Sequence, residues 1–136
     1  VMEKEYLAKI IAKDKQGLQI ISACCSNAKV HISNIKYLAK NKIFLLSLER
    51  FTREEEKNFK IKSICKFEFV DNVKSKNINQ KDRDLVLDLI TIDLLKSEKN
   101  FEINLIFSNN AYITLSTEIV EVTLEDQKKN YKWLKF

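Results

Sequence analysis

One histidine and three cysteines are the residues of this sequence that could support nucleophilic catalysis or metal binding. A cysteine nucleophile needs a base within hydrogen-bond reach, and His31 is the only histidine that could supply one. The sequence has no Cys-x-x-Cys or His-x-x-x-His pair of the kind that binds zinc. Cys24, Cys25 and Cys65 are therefore predicted to be small core residues, and no metal or cofactor is expected.

Neither the carboxylate pairs nor the glycine content of the sequence indicates a catalytic site. Pairs such as Asp82 and Asp84 in "DRD" are predicted to be solvated charges, because acid-base or metal chemistry requires side chains that converge in space. Gly17 is the only glycine, which excludes a glycine-rich phosphate loop. An enzyme that uses His31 or Asp88 in a concave pocket is one functional hypothesis, and it ranks third, after two hypotheses of a binding function.

Basic residues give the chain a net charge of +5 and a pI near 9.0. Much of this charge is scattered lysine, which is typical of a solvated surface, whereas nucleic-acid binding favours clustered charge and arginine. The polar segment "KSKNINQKDRD" (74–84) is predicted to be a loop between two strands. The candidate anion-binding residues are Arg50, Arg53, Lys74, Lys76, Lys81 and Arg83.

The first third of the chain predicts a strand, a helix and a hairpin. Residues 6–12 form a short apolar run, after which Asp14 is placed to cap a helix over residues 15–28. The stretches "VHISNIKYL" and "IFLLSLERF" alternate in polarity and predict a hairpin whose turn places Asn41 at positive φ.

Four further strands are predicted in the rest of the chain. In "ICKFEFV" alternate residues, from Cys65 to Phe69, share one face, and in "FEINLIF" the alternation precedes an "SNN" turn. The run "LVLDLITIDLL" is predicted to be a strand with Val86, Ile90, Ile92 and Leu94 on the face that also carries Asp88. One strand over residues 111–124 is predicted, with a bulge near residues 118–120.

These elements predict a single domain over residues 1–136, of the α+β class. Seven strands form a mainly antiparallel sheet, and we expect that sheet to be strongly curved or a partial barrel, with the helix covering an open side. A pleckstrin-homology-like fold would accommodate the strands if "LEDQKKNYKWLKF" supplied its closing helix. The N-terminal segment lacks the apolar region of a signal peptide, and no run is apolar enough to span a membrane, so a cytoplasmic location is expected.

The order of segments resembles the bacterial family called domain of unknown function 2948. The resemblance rests on "YLAKNKIFLLSLERF", on "VKSKNI" followed by "LVLDLITIDL", and on "INLIFSNNAYITLSTEIVEVTLED". The closest local match is "LERF", with Leu48, Arg50 and Phe51, where Glu49 replaces the asparagine of the family. The resemblance implies a small bacterial cytoplasmic protein without an established activity, cofactor or catalytic residue.

The leading functional hypothesis is a non-enzymatic interaction module. Its curved sheet would present loops, an open face or an exposed strand edge to a protein partner or to a second copy of the chain. The alternative hypothesis is a binder of nucleic acid or of an anionic ligand through the candidate cations. No membrane partner is expected.

Overall fold

The computed structural model describes residues 8–54 and 57–127, which form a nine-stranded antiparallel sheet with one helix near the N-terminus. The helix, α1 (Lys15–Cys24), lies between the first two strands, and a short 3-10 helix (Ala39–Asn41) follows the second. The strands are β1 (Lys9–Ala12), β2 (Ala28–Leu38), β3 (Ile43–Glu54), β4 (Lys57–Phe67), β5 (Val70–Lys76), β6 (Val86–Lys96), β7 (Phe101–Phe107), β8 (Ala111–Thr117) and β9 (Val122–Asp126). The predicted class, mainly antiparallel α+β, is confirmed.

The order of strands across the sheet is β1-β9-β4-β3-β2-β6-β7-β8-β5, so β1 and β5 are its two edges. The sheet is neither closed nor strongly curled, and the prediction of a partial barrel is wrong. The predicted count of seven strands is also wrong. The strand predicted over residues 64–70 ends at Phe67, and a separate strand, β5, begins at Val70. The strand predicted over residues 111–124 is divided into β8 and β9.

The C-terminal helix of a pleckstrin-homology-like fold does not begin at Leu124, because residues 124–126 belong to β9. The remainder of that predicted helix, residues 128–136, lies outside the described residues. The α-helix that the described residues form is α1, near the other end of the chain.

Helix α1 begins as the sequence predicts and ends earlier. The Asp14 carboxylate accepts a hydrogen bond from the Gly17 backbone N–H at 2.7 Å, which confirms the predicted cap. The helix ends at Cys24, because Asn27 adopts a left-handed conformation (φ 65°) and Ala28 already belongs to β2. The N–H of Asn27 then donates to Leu89 O on β6 at 2.7 Å, which fixes the helix exit against the sheet.

The core lies on one face of the sheet, where buried residues of neighbouring strands are directly opposite one another. Phe44 is paired with Phe67, and their rings meet edge to face with centroids 6.0 Å apart. Helix α1 adds its buried Leu18 and Ile21 to the same cluster. We call the opposite face of the sheet the outer face. Burial of each such large apolar side chain contributes about 1.5–3 kcal/mol of stability.

A bulge in β6 explains why its predicted core face is partly wrong. The register of β6 against β7 shifts between Leu89 and Thr91, so the buried residues are Leu87 and Leu89 before the bulge and Ile92 after it. The predicted core residues Val86 and Ile90 are exposed as a result. Asp88 is also partly exposed, where it forms an ion pair with Lys29.

The hairpin between β2 and β3 is confirmed, but its left-handed residue is Lys42 (φ 56°) and not the predicted Asn41. The predicted asparagine turn after β7 is confirmed, with Asn109 and Asn110 both at positive φ. Within the residues described, no helix has the length and apolar character that crossing a membrane requires.

Candidate functional site

The six cations predicted to bind anions lie in three different parts of the structure. Arg50 is buried on β3, and the backbone of Arg53 also lies in β3, although its side chain is outside the described part of the structure. The others lie on β5 (Lys74, Lys76) and in the connection from β5 to β6 (Lys81, Arg83). The five candidates whose side chains are described therefore do not form one surface.

Arg50 belongs to a buried polar cluster that links β3, β4 and β9. Its Nε and Nη2 atoms donate to the two carboxylate oxygens of Asp126 at 2.9 and 2.7 Å, and Ser63 Oγ donates to the same carboxylate at 2.6 Å. The hydrogen bond to Asp126 raises the pKa of Arg50. Because this guanidinium is buried and already paired, the prediction that Arg50 contacts an external anion does not fit the structure.

The carboxylate of Asp126 also binds the start of the described chain, since the Ala8 N–H donates to it at 2.9 Å. Burial alone would raise the pKa of Asp126, but hydrogen bonds from Arg50, Ser63 and Ala8 outweigh that effect and lower the pKa. Sequence reasoning gave Asp126 no role. Its available signal was the period-two pattern of Val122, Leu124 and Asp126, which places the aspartate on the core face.

Lys74 and Lys76 lie side by side on the edge strand β5. They are opposite Thr114 and Tyr112 of β8, and these alternate with buried β8 residues, so both lysines are on the outer face. Both lysines are exposed, and no carboxylate of the described residues lies within ion-pair distance of either. On its other side β5 pairs with no strand in the described parts of the chain. Within the part of the chain that the structure describes, this side presents unpaired backbone groups beside two lysines that have no ion-pair partner.

The tip of the β2–β3 hairpin closes one end of this unpaired edge. The N–H of Val70 donates to Lys42 O at 2.8 Å, and the Tyr37 hydroxyl donates to Val70 O at 2.9 Å. Lys42 Nζ also forms an ion pair with Asp71 at 2.9 Å, which raises the pKa of Lys42. The backbone edge of β5 that pairs with no described strand therefore begins after Val70 and extends to Lys76. The Gln80 side chain lies beside it and donates from Nε2 to Ser75 Oγ at 2.8 Å.

The connection over residues 77–85 is held by several hydrogen bonds, and its charges alternate in sign. Asn77 is at positive φ and donates through Nδ2 to Asn110 O at 2.8 Å, and Leu85 O accepts from the Ile32 N–H at 2.9 Å. The predicted loop begins later than expected, because its first residues, 74–76, belong to β5. Four consecutive exposed residues, two basic and two acidic, offset one another: Lys81, Asp82, Arg83 and Asp84.

Two shallow grooves of about 440 and 470 Å³ lie on the described surface, and the first adjoins β5 through Tyr112, the cross-strand neighbour of Lys76. The first lies between α1 and the strands β6, β7 and β8, with Tyr112 and Asn104 among its lining residues. The second crosses β1, β9 and β4 and is lined by a mixture of lysine and glutamate. His31 and Asp88, the residues suggested for an enzyme pocket, line neither groove.

Two of the three cysteines are confirmed as core residues. Burial raises the pKa of Cys25 to about 12 and the pKa of Cys65 well above its ordinary value, so both thiols stay protonated at neutral pH. Cys24 is partly exposed. Among the residues that the structure describes, no group of three or more histidine, cysteine or acidic side chains is arranged to hold a metal ion.

Comparison with known proteins supports the resemblance inferred from the order of segments. No curated protein and no solved structure matches this chain. The family model described as "Protein of unknown function (DUF2948)" matches residues 8–135, which is nearly the whole sequence. The chain therefore belongs to the DUF2948 family.

Proposed function

We propose that this protein is an interaction module that binds an extended acidic peptide segment along the free edge of β5. The observation that carries the proposal is the position of Lys74 and Lys76. Both are exposed, have no ion-pair partner among the described residues, and lie on an edge strand whose second side pairs with no described strand. An edge strand recognises a peptide by adding it as a further strand, with main-chain hydrogen bonds for affinity and side chains for specificity.

The geometry of a sheet defines the ligand. Alternate residues of β5 direct their N–H and C=O groups away from β8, and an added strand would pair with them. Lys74 and Lys76 are two residues apart, so their side chains leave the outer face about 6.6 Å from each other. Alternate residues of an added strand have the same spacing and lie about 4.5–5.5 Å from their cross-strand neighbours. Two carboxylates at alternate positions of a peptide would match the two lysines.

Self-association through β5 is less favourable than this peptide complex. Antiparallel pairing of two β5 edges keeps the outer faces of both copies on the same side of the joint sheet. Lys74 and Lys76 of one copy would then share a face with the same lysines of the second copy, and like charges that face one another are destabilising.

Nucleic acid is also less favoured, because the basic residues do not combine. Arg50 is buried in its ion pair, and Lys81 and Arg83 alternate with two aspartates. Among the candidates whose side chains the structure describes, only Lys74 and Lys76 remain. Nucleic-acid affinity grows with the number of phosphates that are neutralised, and two cations neutralise few.

The test uses a fluorescein-labelled ten-residue peptide of alternating glutamate and valine, with a lysine-for-glutamate peptide as its control. Fluorescence anisotropy should detect binding of the acidic peptide and no binding of the lysine peptide. The double variant Lys74→Glu/Lys76→Glu should weaken the affinity for the acidic peptide at least about tenfold. The matched control variant, Lys81→Glu/Arg83→Glu, changes the net charge equally in the connection 77–85 and should bind normally. N-methylation of the peptide amides that face β5 should abolish binding, whereas N-methylation of the opposite edge should not.

Three outcomes would contradict the proposal. Equal losses in the two double variants would mean that net charge, and not the β5 edge, controls binding. Insensitivity to N-methylation would exclude strand addition. Tighter binding of a single-stranded oligonucleotide than of the acidic peptide, with a steep salt dependence, would favour the nucleic-acid alternative.

A further inference from the structure

We infer that Phe69 is an apolar recognition element at the end of the β5 edge, so that the preferred ligand is an acidic segment followed by a large apolar residue. This inference rests on the proposed function, since it defines the partner of the same edge more closely.

Phe69 occupies a backbone conformation that its side chain disfavours. Its φ is 60°, in the left-handed region where glycine and asparagine are common and a bulky residue is an outlier. The two neighbouring backbone N–H groups hold it there: the Glu68 N–H donates to Glu121 O at 3.0 Å, and the Val70 N–H donates to Lys42 O at 2.8 Å. Strain of this kind is concentrated at functional sites, where surrounding contacts maintain it.

The strained backbone leaves a phenylalanine on the surface. Phe67 and Val70, on either side of the corner, are fully buried, whereas Phe69 is 41% exposed. Asparagine or glycine would form the same corner without the conformational cost. The turn alone therefore does not require a phenylalanine, and the exposed part of its ring is available to a ligand.

Other exposed apolar residues lie on segments that meet this corner. Leu38 is 42% exposed at the start of the hairpin tip whose Lys42 accepts the hydrogen bond from Val70. Ile119 is 53% exposed and lies two residues before Glu121, whose carbonyl binds Glu68. Leu38 and Ile119 are thus exposed on segments whose backbones bind this corner, and Phe69 is the exposed apolar residue that directly precedes β5.

The positions of Phe69 and the two lysines along the chain determine the order of acidic and apolar residues in the peptide ligand. Phe69 precedes Val70 directly and lies five positions before Lys74. The register of β5 shifts between Val70 and Asn72, so Phe69 and Lys74 are at most about 16 Å apart. Every pair of strands in this sheet is antiparallel, and an antiparallel ligand would place its C-terminal end at Phe69. The ligand would then have its acidic residues first and its apolar residue four or five positions later.

The test compares three labelled peptides that share one acidic segment and have a C-terminal phenylalanine, a C-terminal alanine or an N-terminal phenylalanine. Wild-type protein should bind the C-terminal phenylalanine peptide about tenfold more tightly than the other two. Phe69→Asn should abolish that preference without changing the affinity for the alanine peptide. Its melting temperature should stay the same or rise, because asparagine tolerates the left-handed region. Ile20→Ala, which removes an exposed apolar side chain on α1, is the matched control and should leave the preference intact.

The outcomes separate this inference from the proposed function. If all three peptides bind equally well to wild type and to Phe69→Asn, the β5 edge is a binding site and the role of Phe69 is wrong. If no peptide binds, both proposals are wrong. If Phe69→Asn loses affinity together with folding, as judged by its melting temperature, Phe69 is a structural residue and the inference fails.

Discussion

The guanidinium of Arg50 and the carboxylate of Asp126, 76 positions apart in the sequence, form a buried pair with two hydrogen bonds of 2.9 and 2.7 Å. Ser63 on β4 and the backbone of Ala8 bind the same carboxylate. One carboxylate thus joins the β3–β4 hairpin, β9 and the segment before β1. The partners offset the desolvation of the buried charges only while the set is complete, and removing one partner leaves an uncompensated buried charge.

Arg50→Met should therefore destabilise the protein by about 3–5 kcal/mol, because it leaves the Asp126 carboxylate buried without its counter-ion. Equilibrium unfolding in urea measures this loss. The double variant Arg50→Met/Asp126→Leu should recover most of it, since no unpaired charge remains. Lys29→Ala, which breaks the exposed pair with Asp88, is the matched control and should cost less than about 1 kcal/mol. Equal effects of Arg50→Met and Lys29→Ala would contradict a buried role for Arg50.

The same carboxylate predicts how stability depends on pH. The pKa of Asp126 is lower in the folded protein than in the unfolded chain, so the unfolded state binds more protons in acid. The stabilising contribution of Asp126 is fully present above its pKa in the unfolded chain, about 3.9. It is lost as the pH falls through the pKa that Asp126 has in the folded protein. The free energy of unfolding of wild type should fall from about pH 5 downward, and the gap between wild type and Asp126→Asn should narrow with it. A gap that stays constant across this range would mean that Asp126 has the same pKa in the folded and unfolded states, and a gap that widens in acid would mean that folding raises its pKa.

The parts of the fold that the sequence predicts are those governed by local rules. The Asp14 cap follows from a side chain three residues from its donor, and the alternation of buried residues from Ile103 to Phe107 follows from the strand period. The pattern of "ICKFEFV" gives no sign that the strand ends at Phe67, because Phe69 continues the alternation while its backbone turns into the left-handed region.

The candidate site was harder to predict for a related reason. An edge strand such as β5 has few buried residues, so "VKSK" has the composition of a loop, and Lys74 and Lys76 were assigned to one. The pairing of Arg50 with Asp126 depends on which strands become neighbours, and no local pattern in a single sequence contains that information. Arg50 therefore had the same status as the exposed cations until the strand order was known.

The thiols predict a specific pattern of chemical reactivity. Burial raises the pKa of Cys25 to about 12 and the pKa of Cys65 well above its usual range, and the thiolate is the reactive form. A thiol-exchange reagent at neutral pH should therefore modify Cys25 and Cys65 no faster than the protein unfolds, and in denaturant all three cysteines should react at once. Mass spectrometry of the labelled peptides identifies the sites. Rapid labelling of Cys25 in the native protein would contradict this protection. It would show that the segment around Cys25 opens locally, provided that Cys25→Ala keeps the fold under the same conditions.

Gly17 predicts an exception to the usual effect of alanine in a helix. Glycine-to-alanine changes in a helix are normally stabilising by about 1 kcal/mol. A Cβ atom at Gly17, however, would lie 3.0 Å from Ala12 Cα, 3.1 Å from Ala12 Cβ and 3.2 Å from the capping oxygen of Asp14. Ala12 is buried, and its backbone is held in β1 by pairing with β9. The crowding therefore cannot be relieved by rotation of a flexible side chain.

Gly17→Ala should consequently destabilise the protein by about 1–3 kcal/mol, as overpacking does, and weaken the cap that starts α1. Thermal unfolding followed by circular dichroism measures the effect. Gln16→Ala, at the exposed neighbouring position, is the matched control and should be neutral or slightly stabilising. If both alanine variants were equally stabilising, the close approach of α1 to β1 would be wrong, and with it the reason why the one glycine of this chain stands at position 17.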